Sequence, residues 1–335
     1  MASEPLYPYL LEPKETTAIW GGESWKCWDE NRVRNGALAG MRVAQLRESL
    51  GSRLLGTIDS GRIFPILTKI ITARDWLSVQ VHPDDAYAQR VEHQANGKVE
   101  CWYVFSAQQD AQIVLGWTRD TSREEYERRV ADGTLGELLR RVPVKAGDAF
   151  YLPAGTLHAI GGGIVLFETQ QASDLTYRIF DWNRVGLDGV PRPLHVRKAA
   201  DVLEYRAETR GAVEPVKYVF ESLQRTIFIA DPRFLVERIV ARDEPSSVAT
   251  HDRPLVIMAL ERSLTISCGD SDVTLAPFDT ALVPAGAGRC AICANEGDEA
   301  PFMFVTPPPD ERFVAAQLLA AGIEQTRVDR FLEQF

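Results

Sequence analysis

Four side chains of this 335-residue sequence have the types and spacing of a metal site. Gln80 and His82 stand two apart in "LSVQVHP", so a strand would put both on one face. Glu100 opens the run "ECWYVFSA", and His158 follows the turn in "GDAFYLPAGTLHAI". Imidazole nitrogens and a carboxylate oxygen suit zinc, and also iron or manganese. With neutral Gln80 as fourth donor, the set carries one negative charge against a divalent ion, and the remaining positive charge can hold an oxyanion. Each residue also has a plainer reading. A lone histidine inside a β-barrel is more often a hydrogen-bonded core residue than a ligand, and Glu100 has Lys98 at hand as an ion-pair partner. The joint pattern favours the metal. His93, His195 and His251 lie outside it and are expected to take no metal role.

Such distant segments can meet on the inner wall of a compact antiparallel barrel. The runs "LSVQVHP", "CWYVFSA", "AQIVLGW", "DAFYLP" and "GIVLFETQ" are short, rich in β-branched and aromatic residues, and bounded by Gly, Pro or Asp. They predict an antiparallel sandwich or barrel. The second half repeats the style. "GDAFYLPAGTLHAI" at 147–160 is nearly rewritten as "FDTALVPAGAGRCA" at 278–291, and residues 100–116 align with 253–269. In that alignment Arg253 answers Glu100 and Arg289 answers His158, so the second copy could not hold a divalent cation there. The expected chain is mainly β, with two related jelly-roll β-barrels: a metal-binding domain at 1–205, a metal-free one at 206–308, and a helical tail at 309–335. A helical insertion is expected at about 118–141, opening with Ser122 and Glu125 at capping-box spacing. "MRVAQLRESLG" and "HVRKAADVLEYR" read as short flanking helices. The tail, divided near Gly322, is expected to pack on its own barrel.

Composition narrows the partners. The net charge of -10, with no basic run, argues against nucleic acid, so an anionic substrate must be met by a few local lysines and arginines. No stretch has the apolar length to cross a bilayer, and the N-terminus does not read as a signal peptide. Five scattered cysteines fit a reducing cytoplasm better than a disulfide framework. Cys290 and Cys293 have CxxC spacing, but on a strand i and i+3 point to opposite faces, so both are read as structural.

The turn segment has the form G-x5-P-x-G-x2-H, the second cupin motif, while the usual first motif is stretched to Gln80-x-His82 with Glu100 far downstream. "AIWGG", "LSVQVHPDD", "GKVECWYV", "PAGTLHAIGGGIVLFETQQASDLTYRIFDWNR" and "RPLHVRKAADVL" together resemble the type I mannose-6-phosphate isomerases in their short bacterial form. The likeness is dense over residues 5–205 and weak beyond; "WKCWDENRVRNG" departs from it. The resemblance implies one zinc ion per chain on Gln80, His82, Glu100 and His158. It also implies a pocket arginine at Arg178, with Lys69, Ser78 and Lys98 at polar positions near the substrate. Ser78 stands at i-2 from Gln80, on the same strand face. The implied activity is interconversion of mannose 6-phosphate and fructose 6-phosphate through an enediol, with a small sugar phosphate as partner and neither nucleic acid nor membrane. Glu168 in "LFETQ" and Lys98 are the candidate proton carriers, Glu168 having a structural acceptor role as its alternative. Two rival functions stay open. His82, Glu100 and His158 alone form the ligand set of a non-haem iron oxygenase, and a non-catalytic sugar-phosphate-binding cupin would keep the same residues.

Overall fold

Short strands run through most of the chain, as the β-branched runs between Gly and Pro punctuation require. The computed structural model describes residues 6–58, 63–295, 297 and 299–335. Its contacts separate two units: Glu15–Ser24 with Lys69–Ala212, and Met1–Lys14 with Trp25–Thr68 and Val213–Phe335. Residues 25–68 thus group with the C-terminal half, where the sequence reading kept all of 1–205 together. The pairing of strand Tyr9–Glu12 with Thr280–Val283, Tyr9 opposite Leu282, shows how the first residues join that half.

The unit holding the motif residues contains two sheets. One orders Tyr177–Phe180, Val79–Val81, His158–Ile160, Gln112–Trp117 and Leu139–Pro143. The other includes Ala149–Leu152, Glu100–Ala107 and Ile164–Gln171 as neighbours. Alternation decides what each strand shows. Val79 and Val81 join an apolar cluster with Tyr126, Leu135 and Leu138 of the insertion and Ala199 of the helix Val196–Val202. The period of two turns Ser78, Gln80 and His82 to the other face. A second cluster holds Trp102, Val104, Ile113, Leu115, Phe150 and Ile160. The polar motif residues are therefore held by strands whose apolar neighbours are fully buried, which fixes their backbone.

The insertion begins as read: the Ser122 hydroxyl accepts the Glu125 N–H and starts helix Arg123–Ala131. It ends earlier than expected. After a short turn at Leu135–Leu138 the chain becomes strand Leu139–Pro143, paired with Gln112–Trp117. Leu139 is buried there while the following residues alternate between half-buried and exposed, a period of two that a helical reading of "LLRRV" overrode.

The other unit pairs an eight-stranded with a four-stranded sheet. Its tail helices, Phe313–Ala320 and Gln325–Leu332, bury Val314, Leu318, Val328 and Phe331 against Val216, Tyr218, Ile227 and Leu235. The tail thus packs within its own unit, as expected. The cysteine reading is corrected: Cys268 and Cys290 form a disulfide, Cα atoms 4.5 Å apart. Ser267 lies opposite Ala291, so the two cysteines sit side by side on neighbouring strands. Cys293 is unbonded. No described helix is long and apolar enough to cross a membrane.

Candidate metal centre

Gln80 is the middle of a row. His158 is its register partner on one neighbouring strand and Arg178 on the other. The Pro-Ala-Gly turn locks this register: Gly155 has φ +85°, and its N–H donates to the His82 carbonyl at 2.9 Å. A Cβ there would lie 2.9 Å from the Val202 carbonyl oxygen, so glycine is the residue that fits. Glu100 arrives from the other sheet. Lys98 N–H donates to the Pro83 carbonyl at 2.9 Å, and a Cβ on Gly97 would sit 2.3 Å from the Asp84 carbonyl carbon. The glycine before Lys98 lets the segment leading to Glu100 pass against the end of the Gln80 strand.

The four motif residues converge. His158 Nε2 is 3.1 Å from one Glu100 oxygen and His82 Nε2 is 3.4 Å from the other. The Gln80 amide is 3.2 Å from His158 Nε2. Each histidine presents Nδ1 to a carbonyl oxygen, His82 to Leu175 at 2.8 Å and His158 to Thr156 at 2.9 Å. A carbonyl only accepts, so Nδ1 carries the proton and Nε2 keeps its lone pair. Acceptors thus face acceptors. Lys98 Nζ, 2.8 Å away, compensates Glu100 Oε2, but His82 Nε2 and Glu100 Oε1 are buried without a hydrogen bond, which is unfavourable unless a further cation lies among them. A half-turn of the Gln80 amide exchanges its nitrogen for an oxygen donor at the same place. His82, Glu100 and His158 offer ligand atoms within 4.8 Å of one another, all buried. The residues present fit a divalent metal.

Burial, then the Lys98 charge, pushes the His82 imidazole down to about 3, so it is neutral and a competent ligand. Burial opposes ionisation of Glu100, yet Lys98, with Nζ 2.8 Å away, and the imidazoles hold its pKa well below the usual carboxylate value. Burial also opposes the charge on Lys98, but Glu100 and Glu168 hold its pKa above the ordinary lysine value. The two carboxylates thus favour the ammonium form of Lys98.

A cavity of about 340 Å³ adjoins the cluster, and Lys69, Ser78, Gln80, Lys98, Glu168 and Arg178 all line it. Lys69 is buried, its Nζ 3.2 Å from Glu168 and 3.8 Å from Glu23. Glu168 also accepts from Trp102 Nε1 at 3.1 Å. Burial, reinforced by the Glu100 charge, raises the Glu168 pKa against the pull of Lys69. Arg178 Nη1 donates to the Pro193 carbonyl at 3.1 Å while its Nε is buried without a partner. His195, expected to have no metal role, accepts the Arg178 backbone N–H through Nδ1 at 3.0 Å. Glu23, Asp174 and Arg192 also line the cavity and were not foreseen. In the sequence they are single charges with no periodic neighbour to mark them.

The site and the cupin-like β fold define a metal-binding β protein with a polar, partly cationic pocket. Residues 2–103 match the family model of the phosphomannose isomerase type I catalytic domain. The mannose-6-phosphate isomerase of Streptococcus mutans serotype c is 42% identical over 229 residues, covering 67% of this chain and 69% of that protein. The crystal structure of the mannose 6-phosphate isomerase from Bacillus subtilis superposes with a TM-score of 0.80 at 28% identity, over 89% of this chain and 99% of that one. A zinc-bound mannose 6-phosphate isomerase shares the fold at a TM-score of 0.69 and 15% identity, over 91% and 99% of the two chains. The chain belongs to the type I phosphomannose isomerase family and is a sugar-phosphate isomerase.

Proposed function

We infer that this isomerase interconverts mannose 6-phosphate and fructose 6-phosphate, with one zinc ion per chain held by Gln80, His82, Glu100 and His158. The observation that carries the reading is the convergence of buried acceptor atoms, His82 Nε2 and Glu100 Oε1 without a hydrogen bond and His158 Nε2 3.1 Å from Oε1, beside a cavity containing Arg178. The reaction moves a proton between C1 and C2, and its barrier is the charge that builds on O1 and O2. A divalent ion in this ligand set supplies fixed positive charge for those oxygens. Arg178, in register beside Gln80, adds a planar fork at the same wall. Glu168 carries the proton. Its raised pKa makes it a better acceptor than a solvated carboxylate, and Lys69 and Trp102 fix its orientation. Lys98 donates a charged hydrogen bond toward substrate oxygen while balancing Glu100. Ser78 and Lys69 contribute polar contacts to bound sugar. A sugar phosphate dianion does not cross a bilayer unaided, which supports the cytoplasm as the site of action.

The test uses protein purified without added metal, with fructose 6-phosphate formation followed by a coupled assay. Activity should vanish with EDTA and return with zinc. Iron in the purified protein, with oxygen uptake and no isomerisation, would overturn the reading.

A further inference from the structure

Asp181 follows strand Tyr177–Phe180 directly and is 6% exposed. Its carboxylate grips Arg192 with two parallel bonds, Nε to Oδ2 at 2.7 Å and Nη2 to Oδ1 at 2.6 Å. It also accepts from Arg184, at 3.2 Å from Nε and 3.1 Å from Nη2. Burial alone would raise the Asp181 pKa; Arg192 and Arg184 bring it below the usual value, so the clamp is ionised. The residues between Asp181 and Arg192 form a closed loop, cinched again where Gly186 N–H donates to the Val190 carbonyl at 2.7 Å. Arg192 is thereby delivered from the loop to the cavity wall.

A guanidinium has five N–H donors. Asp181 engages one on Nε and one on Nη2, which leaves one on Nη2 and two on Nη1, with the Nη1/Nη2 pair forming the outer edge of the fork. The other lining cations are differently placed. Lys69 lies against Glu168 and Glu23, Lys98 against Glu100, and Arg178 stands in the row beside Gln80. Arg178 and Arg192 line the same cavity, and after burial the like charge of Arg192 helps hold the Arg178 pKa below its usual value. Two guanidiniums lining one cavity are steadied by a fixed counter-charge behind one of them.

We propose that Asp181 is a positioning residue for the isomerase: its bidentate clamp aims the free edge of Arg192 at the anionic end of the substrate, without touching substrate itself. The idea rests on the sugar-phosphate reading above, and the experiment separates the two. KM and kcat for mannose 6-phosphate, and inhibition by inorganic phosphate, are measured for wild type, Asp181→Asn, Arg192→Met and the double variant. Asp181→Asn should raise KM and the phosphate inhibition constant about tenfold or more with kcat within about threefold. Asp181→Glu should recover part of the loss. The double variant should be no worse than Arg192→Met alone, because one residue acts through the other. Should Asp181→Asn fail to fold, Arg192→Lys, which keeps Asp181 and the charge but loses the fork, must show the same KM-selective loss. Unchanged KM and phosphate inhibition, or losses that multiply in the double variant, overturn the proposal. If wild type does not isomerise mannose 6-phosphate yet calorimetry shows phosphate binding weakened by Asp181→Asn, the substrate reading fails and the clamp stands.

Discussion

Glu100 has the least freedom of any residue in the site: fully buried, with its two oxygens against two imidazoles and one of them on Lys98. Glu100→Gln keeps the shape and removes the charge that neutralises both Lys98 and a bound cation. We expect metal content after dialysis to fall far below one per chain and turnover to drop by about 10²–10³ or more, the size of losing a principal electrostatic stabiliser; metal analysis beside the coupled assay decides it. Glu168 is tested by pH. Burial and Glu100 raise its pKa, and a base works deprotonated, so kcat/KM should fall as pH drops through that raised value. The fall should start above the ~4.3 of an unperturbed glutamate, and Glu168→Gln should abolish the limb along with most of kcat. A Glu168→Gln enzyme with normal turnover would return Glu168 to the role of structural acceptor. At this scale the sequence spoke unevenly. The spacing Gln80-x-His82 and the turn before His158 constrain geometry by themselves, so the convergence was legible. Asp181 and Arg192 were not, because a charge in a loop looks the same whether it is solvated or clamped.

Strands and turns decide whether those side chains meet. The period of two gave the polar face of the Val79–Val81 strand correctly, since Val79 and Val81 had to go to the apolar side. The same rule went unused at Leu139–Pro143, where arginines and leucines good at forming helices hid an edge strand. Propensity yielded there to pairing with Gln112–Trp117. The turn at Gly155 shows an element acting on the site without touching it. Gly155→Ala must adopt φ +85° with its Cβ 2.9 Å from the Val202 carbonyl, so either the backbone strains or the turn shifts. We expect a loss of about 1–3 kcal/mol in folding stability. Because the turn carries the hydrogen bond to His82 and leads into His158, bound metal should also be lost to a chelator at lower concentration than from wild type. Chelator titration with thermal unfolding tests both, and loss of stability with unchanged metal affinity would uncouple the turn from the centre.

On the scale of the whole chain, the repeated motif marks two units with different interiors. In the unit with the disulfide, Arg289 donates to Ser247 at 2.9 Å and Glu221 at 2.7 Å, and Arg253 to the Pro309 carbonyl at 3.0 Å. The positions that aligned with His158 and Glu100 thus serve local ion pairs and hydrogen bonds. Leu255, Ile257, Ala281, Val283, Ile292 and Phe302 form part of an apolar core that includes both bonded cysteines. The sequence showed the repeat but not the bond, because Cys293 is near Cys290 along the chain whereas Cys268 is near it across the sheet. The bond closes a span of 22 residues. In the chain-entropy picture, removing such a link costs about 3 kcal/mol, or a lowering of the unfolding midpoint on the order of 5–10 °C. Every residue assigned to the metal and the cavity belongs to the other unit. A Cys268→Ser, Cys290→Ser double variant should therefore melt earlier while retaining wild-type kcat/KM and metal content at 25 °C. A variant that melts like wild type would show that the bond contributes nothing to stability. One that loses activity below its midpoint would show that this unit governs the chemistry in a way the lining of the cavity does not account for.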